Sequence, residues 1–111
     1  MGMITWDDFS KIDMHIGTVV RAEAFPEARK PAIKLWIDFG EMGVKKSSAQ
    51  ITDFYRAETL LGMQVVAVTN FPPRQIGTFM SECLILGCLG SENKVVLLKP
   101  EREVPNGWKV S

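Results

Sequence analysis

The clearest pattern in this chain is a strict alternation of apolar and polar residues near its middle. Within "AIKLWIDFG", residues 32–40, every second position from Ile33 to Phe39 is a large apolar residue. Because successive side chains of a strand point to opposite faces, this alternation predicts a strand with one buried face. The other face would carry Lys34 and Trp36 together, a basic and an aromatic side chain on one surface.

An earlier strand is predicted for residues 15–25, "HIGTVVRAEAF". Arg21 and Glu23 fall on one face of this strand. The apolar and small residues expected on the opposite face are Ile16, Thr18, Val20, Ala22 and Ala24. Residues 3–12 precede this strand and predict a short amphipathic helix or turn, with two acidic residues near its N-terminus.

The remaining chain predicts three further strands and one helix. Residues 44–51 form a polar third strand, and residues 64–70 a β-branched fourth strand that is apolar on both faces. Between them, residues 52–62 predict a short helix that Thr52 or Asp53 caps and Gly62 ends. Residues 83–89 predict the fifth strand, which a turn joins to a further apolar run.

Five short strands with a helix between the third and the fourth are typical of the OB-fold, a partly open barrel. An SH3-like barrel would lack that helix, and a sandwich would need more strands. We therefore predict an all-β protein with small N- and C-terminal extensions. Its 111 residues, 1–111, suffice for a single domain, and the chain has no internal repeat or linker.

Residues 69–86, "TNFPPRQIGTFMSECLIL", predict a stiffened loop between the fourth and fifth strands. Pro72 and Pro73 cannot donate to a strand ladder, so pairing is expected to stop there. Gly77 permits a tight reversal, and Arg74 is expected to face outward. Because loops at this end of an OB-fold contact ligands, Arg74 is a candidate phosphate contact, with an ordinary surface arginine as the alternative.

The outer face of the second and third strands is the second candidate binding surface, because OB-folds bind oligonucleotides there. Cations attract phosphates, a Trp ring can stack on a base, and Ser and Gln can form hydrogen bonds. A solvated face with one partly covered aromatic ring is the alternative. The candidates on this face are Lys34, Trp36, Lys45, Lys46, Ser48 and Gln50.

Composition limits the possible functions. The formal net charge is zero, so nucleic-acid binding would have to use a local basic patch rather than a general basic excess. No Gly-rich phosphate loop, nucleophile elbow or metal-ligand spacing is present, and His15 is the only histidine. We therefore expect no enzymatic activity, no metal and no other cofactor.

Two cysteines, Cys83 and Cys88, lie in an apolar run and are expected to be buried free thiols. A chain with so few cysteines suits a reducing cytoplasm. The N-terminus does not resemble a signal peptide. No apolar run reaches the roughly 20 residues that a bilayer span needs, so membrane insertion is not expected.

The stretch around Arg74 resembles the tRNA-binding domain family, whose signature is an Asn, a Pro, a basic residue, a Gly and then a Ser before an apolar strand. The matching residues are Asn70, Pro73, Arg74, Gly77 and Ser81. "IDMHIGTVV" resembles the family's opening motif through Asp13 and Gly17. Ala49 and Gln50 depart from the tripeptide "SGL" that its tRNA-binding modules carry, and nearly the whole chain resembles a branch of chaperones associated with protein export.

The resemblance implies two binding functions from different classes. One is a tRNA- or structured-RNA-binding module, in which Asn70, Arg74 and Ser81 join the outer-face candidates. The other is a chaperone that holds unfolded or secretory precursor polypeptides in an exposed apolar groove. The candidates for that groove are Trp36, Phe71, Phe79 and Met80.

Relatives of this kind are homodimers, and the terminal extensions offer a reason. Apolar residues outside the five-strand barrel need a surface to cover, and a symmetric partner would supply one. Packing back on the same barrel is the alternative. The residues expected at the dimer interface are Met3, Ile4, Trp6, Trp108 and Val110.

Overall fold

The computed structural model describes residues 2–111, so Met1, which the predicted domain includes, lies outside the described residues. The helices are α1 (Trp6–Ser10) and α2 (Ala57–Leu60). The strands of the first half are β1 (Met14–Ala24), β2 (Ile33–Asp38), β3 (Val44–Ala49) and β4 (Gln64–Val68). The strands of the second half are β5 (Arg74–Ile76), β6 (Phe79–Ser81), β7 (Leu84–Ile85), β8 (Gly87–Leu89), β9 (Val95–Leu97) and β10 (Lys109–Val110).

The main sheet is antiparallel, with the order β3-β2-β1-β4-β7. It curls until β3 meets the residues just before β7, where the N–H of Glu82 donates to the carbonyl of Lys46 at 2.7 Å. The Ser47 hydroxyl donates to the carbonyl of Cys83 at 2.8 Å beside it. The sheet is therefore a nearly closed five-stranded barrel, the predicted OB-fold.

The long strand β1 serves both halves of the barrel because a β-bulge divides it. Its first half pairs with β4 and its second half with β2, and the register shifts between Val19 and Arg21. The extra residue, Val20, is exposed, whereas Val19 is buried. The prediction of one continuous apolar face from Ile16 to Ala24 was wrong for this reason, since a bulge exchanges the faces. Arg21 and Glu23 do face outward, beside Trp36 and Lys34.

Gly17 on β1 allows the barrel to close tightly. A β-carbon at this position would lie 2.5 Å from Cγ2 of Ile37 and 2.8 Å from the Phe39 ring. Both of those side chains are fully buried. The glycine of the opening motif is thus required by core packing.

The core confirms the predicted alternation, since Leu35 and Ile37 of β2 and Phe39, directly after it, have no exposed surface. The strand β4 is buried on both faces, as its apolar sequence predicts. The main core cluster comprises Val19, Ile33, Leu35, Ile37, Phe39, Ile51, Leu60, Val65, Ala67, Cys83 and Leu97.

The helix between β3 and β4 is shorter than predicted. It spans only Ala57–Leu60, and Arg56 occupies the N-cap position expected for Thr52 or Asp53. Residues 52–54 form turns instead, and the hydroxyl of Tyr55 accepts a hydrogen bond from the N–H of Leu97 at 3.0 Å. This contact ties the segment to a residue 42 positions away, so the local sequence of residues 52–62 does not reveal it.

The predicted fifth strand is divided in two at Leu86. The N–H of Leu86 donates to Val66 of the barrel, after which β8 leaves the barrel and pairs with β9. Cys88 lies on this departing hairpin and is exposed, whereas Cys83 is buried. The expectation that both thiols are buried was therefore wrong for Cys88.

Residues 74–81, predicted as a loop, form a β-hairpin. Arg74 pairs with Ser81, Ile76 pairs with Phe79, and Gly77 turns the chain with a φ of +60°. The prolines do stop pairing after β4, as predicted, but strand pairing resumes one residue beyond them. The hairpin folds back over the outer face of the barrel and forms part of the candidate site.

Candidate ligand-binding site

Four predicted side chains share the outer face of β2 and β3. Lys34 lies opposite Ser48, and Trp36 lies opposite Lys46. Directly opposite residues of an antiparallel pair project from the same face. Lys45 is excluded from this group because it lies opposite the buried Ile37, at the core-facing side of the pair.

Three aromatic rings, here called the aromatic cluster, join the hairpin to this face. Phe79 of β6 contacts Phe25 and Trp36 edge to face, each with a centroid separation of 5.6 Å. Phe79 is only 6% exposed. The expectation that its ring forms part of an exposed peptide groove was therefore wrong, because the ring anchors the hairpin to the barrel.

Three cations surround the aromatic cluster. The guanidinium of Arg21 lies 4.2 Å from the centroid of the Trp36 ring. The Lys34 ammonium lies 4.7 Å from the Phe25 ring, and the Lys46 ammonium 5.2 Å from the Phe79 ring. A cation held against an aromatic face is stabilised by the quadrupole of the ring.

Two of these cations are already paired with carboxylates. Arg21 pairs with Glu23, and the Lys34 ammonium lies 3.5 Å from the carboxylate of Glu27. Among the residues that the structure describes, the Lys46 ammonium and the Arg74 guanidinium have no carboxylate within 4.0 Å. The positive charge that remains available to an anion is therefore concentrated on Lys46 and Arg74.

A groove of about 290 Å³ opens beside this face, lined by β3, the β5–β6 hairpin and the residues on either side of the hairpin. Apolar side chains come from the hairpin and from both flanking segments. The full lining is Ser48, Phe71, Pro72, Arg74, Ile76, Ser81, Glu82, Cys83 and Leu84. Apolar and polar groups thus share one concave surface, in which Arg74 and Glu82 supply opposite charges.

Hydrogen bonds to β3 hold the wall of the groove in place. The carboxylate of Glu82 accepts a hydrogen bond from the N–H of Lys46 at 2.9 Å, while its own N–H donates to the Lys46 carbonyl. Burial raises the pKa of the adjacent Cys83 thiol to about 11; a hydrogen bond with Ser47 lowers it, while the charge of Glu82 raises it. Cys83 is therefore a protonated, packed thiol at neutral pH, not a nucleophile.

The predicted site residues divide into several groups. Ser48, Phe71, Arg74 and Ser81 line the groove, which brings together candidates for both RNA and peptide binding. Lys34, Trp36 and Lys46 surround the aromatic cluster beside it. Gln50 is exposed just beyond the end of β3, and Met80 is partly exposed but lies outside the groove lining.

Asn70 has a structural role that its sequence position did not reveal. Its side-chain carbonyl accepts a hydrogen bond from the N–H of Asp13 at 3.0 Å, and its amide donates to the carbonyl of Lys11 at 2.7 Å. These bonds fasten the segment before β1 to the end of β4. The signature asparagine therefore uses its side chain within the protein.

Sequence reasoning missed Pro72, Ile76, Glu82 and Leu84 as parts of the groove. The unpredicted hairpin carries Ile76, and the break in the fifth strand leaves Leu84 about half exposed. The sequence offers one signal for Glu82 as a groove residue, which is its position directly after the signature serine, Ser81.

The predicted interface residues form a separate terminal surface. Met3, Ile4 and Trp6 are largely exposed, Trp108 is 58% exposed, and Val110 is partly buried in β10. Ile4, Trp6 and Phe9 also line a second concavity, together with Thr5 and the C-terminal Ser111. Exposed apolar side chains of the N-terminal extension thus lie beside the C-terminal residue.

The described part of the chain contains no helix long and apolar enough to cross a membrane. Within residues 2–111, no group of three or more His, Cys, Asp or Glu side chains is arranged to hold a metal ion.

Residues 14–109 match the protein family described as "Putative tRNA binding domain", which accounts for most of the chain. The chain belongs to this family. The match extends over the barrel, the hairpin and the groove. The family description is that of a binding domain rather than a catalytic one.

Two solved structures extend the comparison to the whole chain. The CsaA chaperone of Bacillus anthracis superposes with a TM-score of 0.95 and is 55% identical, covering 99% of this chain and 100% of that one. The CsaA chaperone protein of Picrophilus torridus gives a TM-score of 0.91 and 47% identity, covering 98% and 100%. The predicted resemblance to a chaperone branch of the family is confirmed.

Curated relatives include methionine–tRNA ligases. The ligase of Methanococcoides burtonii is 36% identical over 105 residues, which cover 95% of this chain and 15% of the ligase. This chain thus spans only a small part of the length of these enzymes.

Proposed function

We propose that this protein is a non-catalytic, CsaA-like chaperone of the cytoplasm that binds unfolded or exported polypeptides and also tRNA. The observation that carries the proposal is the groove, because it combines apolar walls with an arginine that has no carboxylate partner within residues 2–111. Phe71, Ile76 and Leu84 suit apolar segments of an unfolded chain, whereas Arg74 suits a phosphate. The likeness to two CsaA chaperones along their whole length supports the polypeptide half of the proposal.

The tRNA half is supported by the family match and by the charge distribution. Lys46 and Arg74 are the cations of the site that carry no carboxylate partner among the described residues. Trp36 and Phe71 add aromatic rings near these charges, and Phe71 is 54% exposed and so accessible for stacking on a base. With zero net charge on the chain, we expect moderate affinity that decreases with salt.

The proposal also includes a homodimer formed through the terminal surface. Trp6 is 88% exposed in the single chain and Met3 is fully exposed. Large apolar side chains at this level of exposure, gathered on one side, are typical of an association surface. A second copy of the chain presents the same surface, so one symmetric contact would cover the exposed apolar side chains of both copies.

The test of the polypeptide function is the aggregation of a chemically denatured client protein on dilution, followed by light scattering. We expect aggregation to slow in proportion to added protein, and bulk tRNA to compete with the client at low salt. An unchanged aggregation rate at a several-fold molar excess would reject the chaperone function.

The second candidate function is a dedicated tRNA-binding module acting in trans with aminoacyl-tRNA synthetases. The likeness to a portion of methionine–tRNA ligases favours it. Under this alternative, tRNA would bind as before, but a denatured client would neither bind nor compete. The same aggregation assay with tRNA competition therefore separates the two functions.

A further inference from the structure

The edge of β3 that faces away from β2 is hydrogen-bonded at one residue, Lys46, and unpaired at another, Ser48. At Lys46, the main-chain N–H donates to the carboxylate of Glu82 at 2.9 Å and the carbonyl accepts from the N–H of Glu82 at 2.7 Å. Both groups therefore point away from β2, although Lys46 lies opposite Trp36 in the register. In an antiparallel ladder this orientation recurs at every second residue. The N–H and carbonyl of Ser48 point away from β2 in the same way.

Ser48 has no partner on that side. Among the hydrogen bonds of residues 2–111, none joins the main chain of Ser48 to a group outside the β2–β3 ladder. The segment that pairs with Lys46 continues into β7, where Leu84 pairs with Val68 of β4, and within residues 2–111 it forms no main-chain hydrogen bond with Ser48. An exposed edge with an unpaired N–H and carbonyl is a template for another strand.

This edge opens into the groove, because Ser48 is one of the residues that line it. The same groove is lined by the apolar side chains of Phe71, Ile76 and Leu84. A strand added at the edge would direct alternate side chains toward these residues and the others toward solvent. The groove thus offers main-chain bonding and an apolar pocket at the same position.

The chemistry of this edge favours a peptide over a nucleic-acid backbone. A peptide unit supplies one donor and one acceptor, which complement the carbonyl and N–H of Ser48. A phosphate only accepts hydrogen bonds, and Glu82 beside the edge would repel it. The pair of opposite charges, Arg74 and Glu82, suits a polypeptide, which carries both signs of charge.

We propose that an extended polypeptide segment binds by strand addition to the edge of β3 at Ser48, with an apolar side chain in the groove. This inference rests on the proposed binding of unfolded polypeptides and specifies how it occurs. Recognition through the main chain is largely independent of sequence, and alternate apolar side chains add a preference. A chaperone for varied unfolded chains would use this combination.

The experiment uses fluorescent capped heptapeptides of alternating leucine and threonine, measured by fluorescence anisotropy with the full chain. One peptide is unmodified, a second has its leucine amides N-methylated, and a third has its threonine amides N-methylated. In a strand, the main-chain groups of alternate residues point to opposite edges. We therefore expect one methylated peptide to bind about tenfold more weakly and the other to bind like the unmodified peptide.

Two variants at one position give the matched control. Ser48→Pro removes the main-chain N–H, whereas Ser48→Ala removes only the hydroxyl. Proline is tolerated at edge positions whose N–H does not join a ladder, and circular dichroism checks that the variant folds. We expect Ser48→Ala to bind the unmodified peptide about tenfold more tightly than Ser48→Pro.

The outcomes separate this inference from the function on which it rests. Equal binding of all three peptides would overturn strand addition and leave polypeptide binding intact. Absence of peptide binding, with tRNA binding retained, would assign the groove to RNA and overturn both. Should Ser48→Pro fail to fold, the two methylated peptides still decide the question with the unaltered protein.

Discussion

At the scale of single residues, the site depends on which charged side chains already have partners. Lys34 is only 17% exposed at its side chain and is committed to Glu27 and two aromatic rings. Arg74 is exposed on β5, where it lines the groove. Two cations that look equivalent in the sequence therefore differ in their availability to an anion.

Arg74→Ala should weaken tRNA binding because it removes a cation that is free to contact a phosphate. We expect about a three- to tenfold loss at low salt and a decrease of about one in the slope of log affinity against log salt concentration. The control is Arg102→Ala, since Arg102 is exposed outside the groove and pairs with Glu101. Filter binding at several salt concentrations provides the measurement, and equal effects of the two variants would remove Arg74 from the site.

Cys83 should make the stability of the protein depend on pH in the alkaline range. Burial raises the pKa of its thiol to about 11 in the folded protein, from an ordinary value of 9.0. Between these values the unfolded chain loses the proton while the folded chain keeps it, so stability decreases as pH rises. By pH 11 the loss should approach about 2 kcal/mol.

The measurement is the free energy of unfolding in urea at pH 8 to 11, compared with that of Cys83→Ala. At pH 8 the variant should be less stable than the unaltered protein, because it loses buried volume. Its free energy of unfolding should not show the decrease toward pH 11 that ionisation of Cys83 causes. Parallel pH curves for the two proteins would show that Cys83 contributes nothing to the pH dependence.

At the scale of elements, the buried ring of Phe79 anchors the β5–β6 hairpin to the barrel. Phe79 is buried against Phe25 and Trp36, while the next residue, Met80, is partly exposed. This alternation places one face of β6 on the barrel and the other in solvent. The hairpin in turn supplies Arg74, Ile76 and Ser81 to the groove.

Phe79→Ala should therefore destabilise the protein by about 3 kcal/mol, since it removes a buried ring at the centre of the aromatic cluster. Met80→Ala, one residue away, should cost less than about 1 kcal/mol because its side chain is partly solvated. Urea unfolding followed by tryptophan fluorescence measures both. Similar losses in the two variants would mean that the hairpin does not depend on Phe79.

At the scale of the whole molecule, the most exposed large apolar side chains of residues 2–111 lie on two surfaces. One is the terminal surface, with Trp6 at 88% exposure, and the other is the β8–β9 hairpin, with Leu89 at 82% exposure. The terminal surface combines residues from both ends of the chain around a concavity. The proposed homodimer uses the terminal surface.

Trp6→Glu should accordingly shift the proposed homodimer to monomer, raising its dissociation constant by about 100-fold, because it would place a charge in the proposed contact. The matched control is Leu89→Glu, which introduces the same charge on the other surface. Sedimentation equilibrium measures both variants. Dissociation by Leu89→Glu alone would place the interface on the β8–β9 hairpin.

The sequence alone determined the barrel, because its strands are encoded by local alternation. The side chains from Ile33 to Phe39 alternate in burial as predicted, and the β-branched fourth strand is buried on both faces. The order of these elements was sufficient for the OB-fold. Candidates that depended on one strand pair, such as Trp36 and Ser48, were also placed on the correct face.

Only the tertiary structure decided the features that depend on contacts between distant segments. The bulge at Val20, the burial of Phe79 and the hydrogen bonds of Asn70 all involve partners far away in the chain. The unpaired edge at Ser48 likewise depends on a distant segment, since β7, which follows Glu82, forms its hydrogen bonds with β4. Periodicity shows which face of a segment is apolar, but it carries no information about which distant segment covers that face. The covering segment decides which residues remain available to a ligand, so only the tertiary structure can identify them.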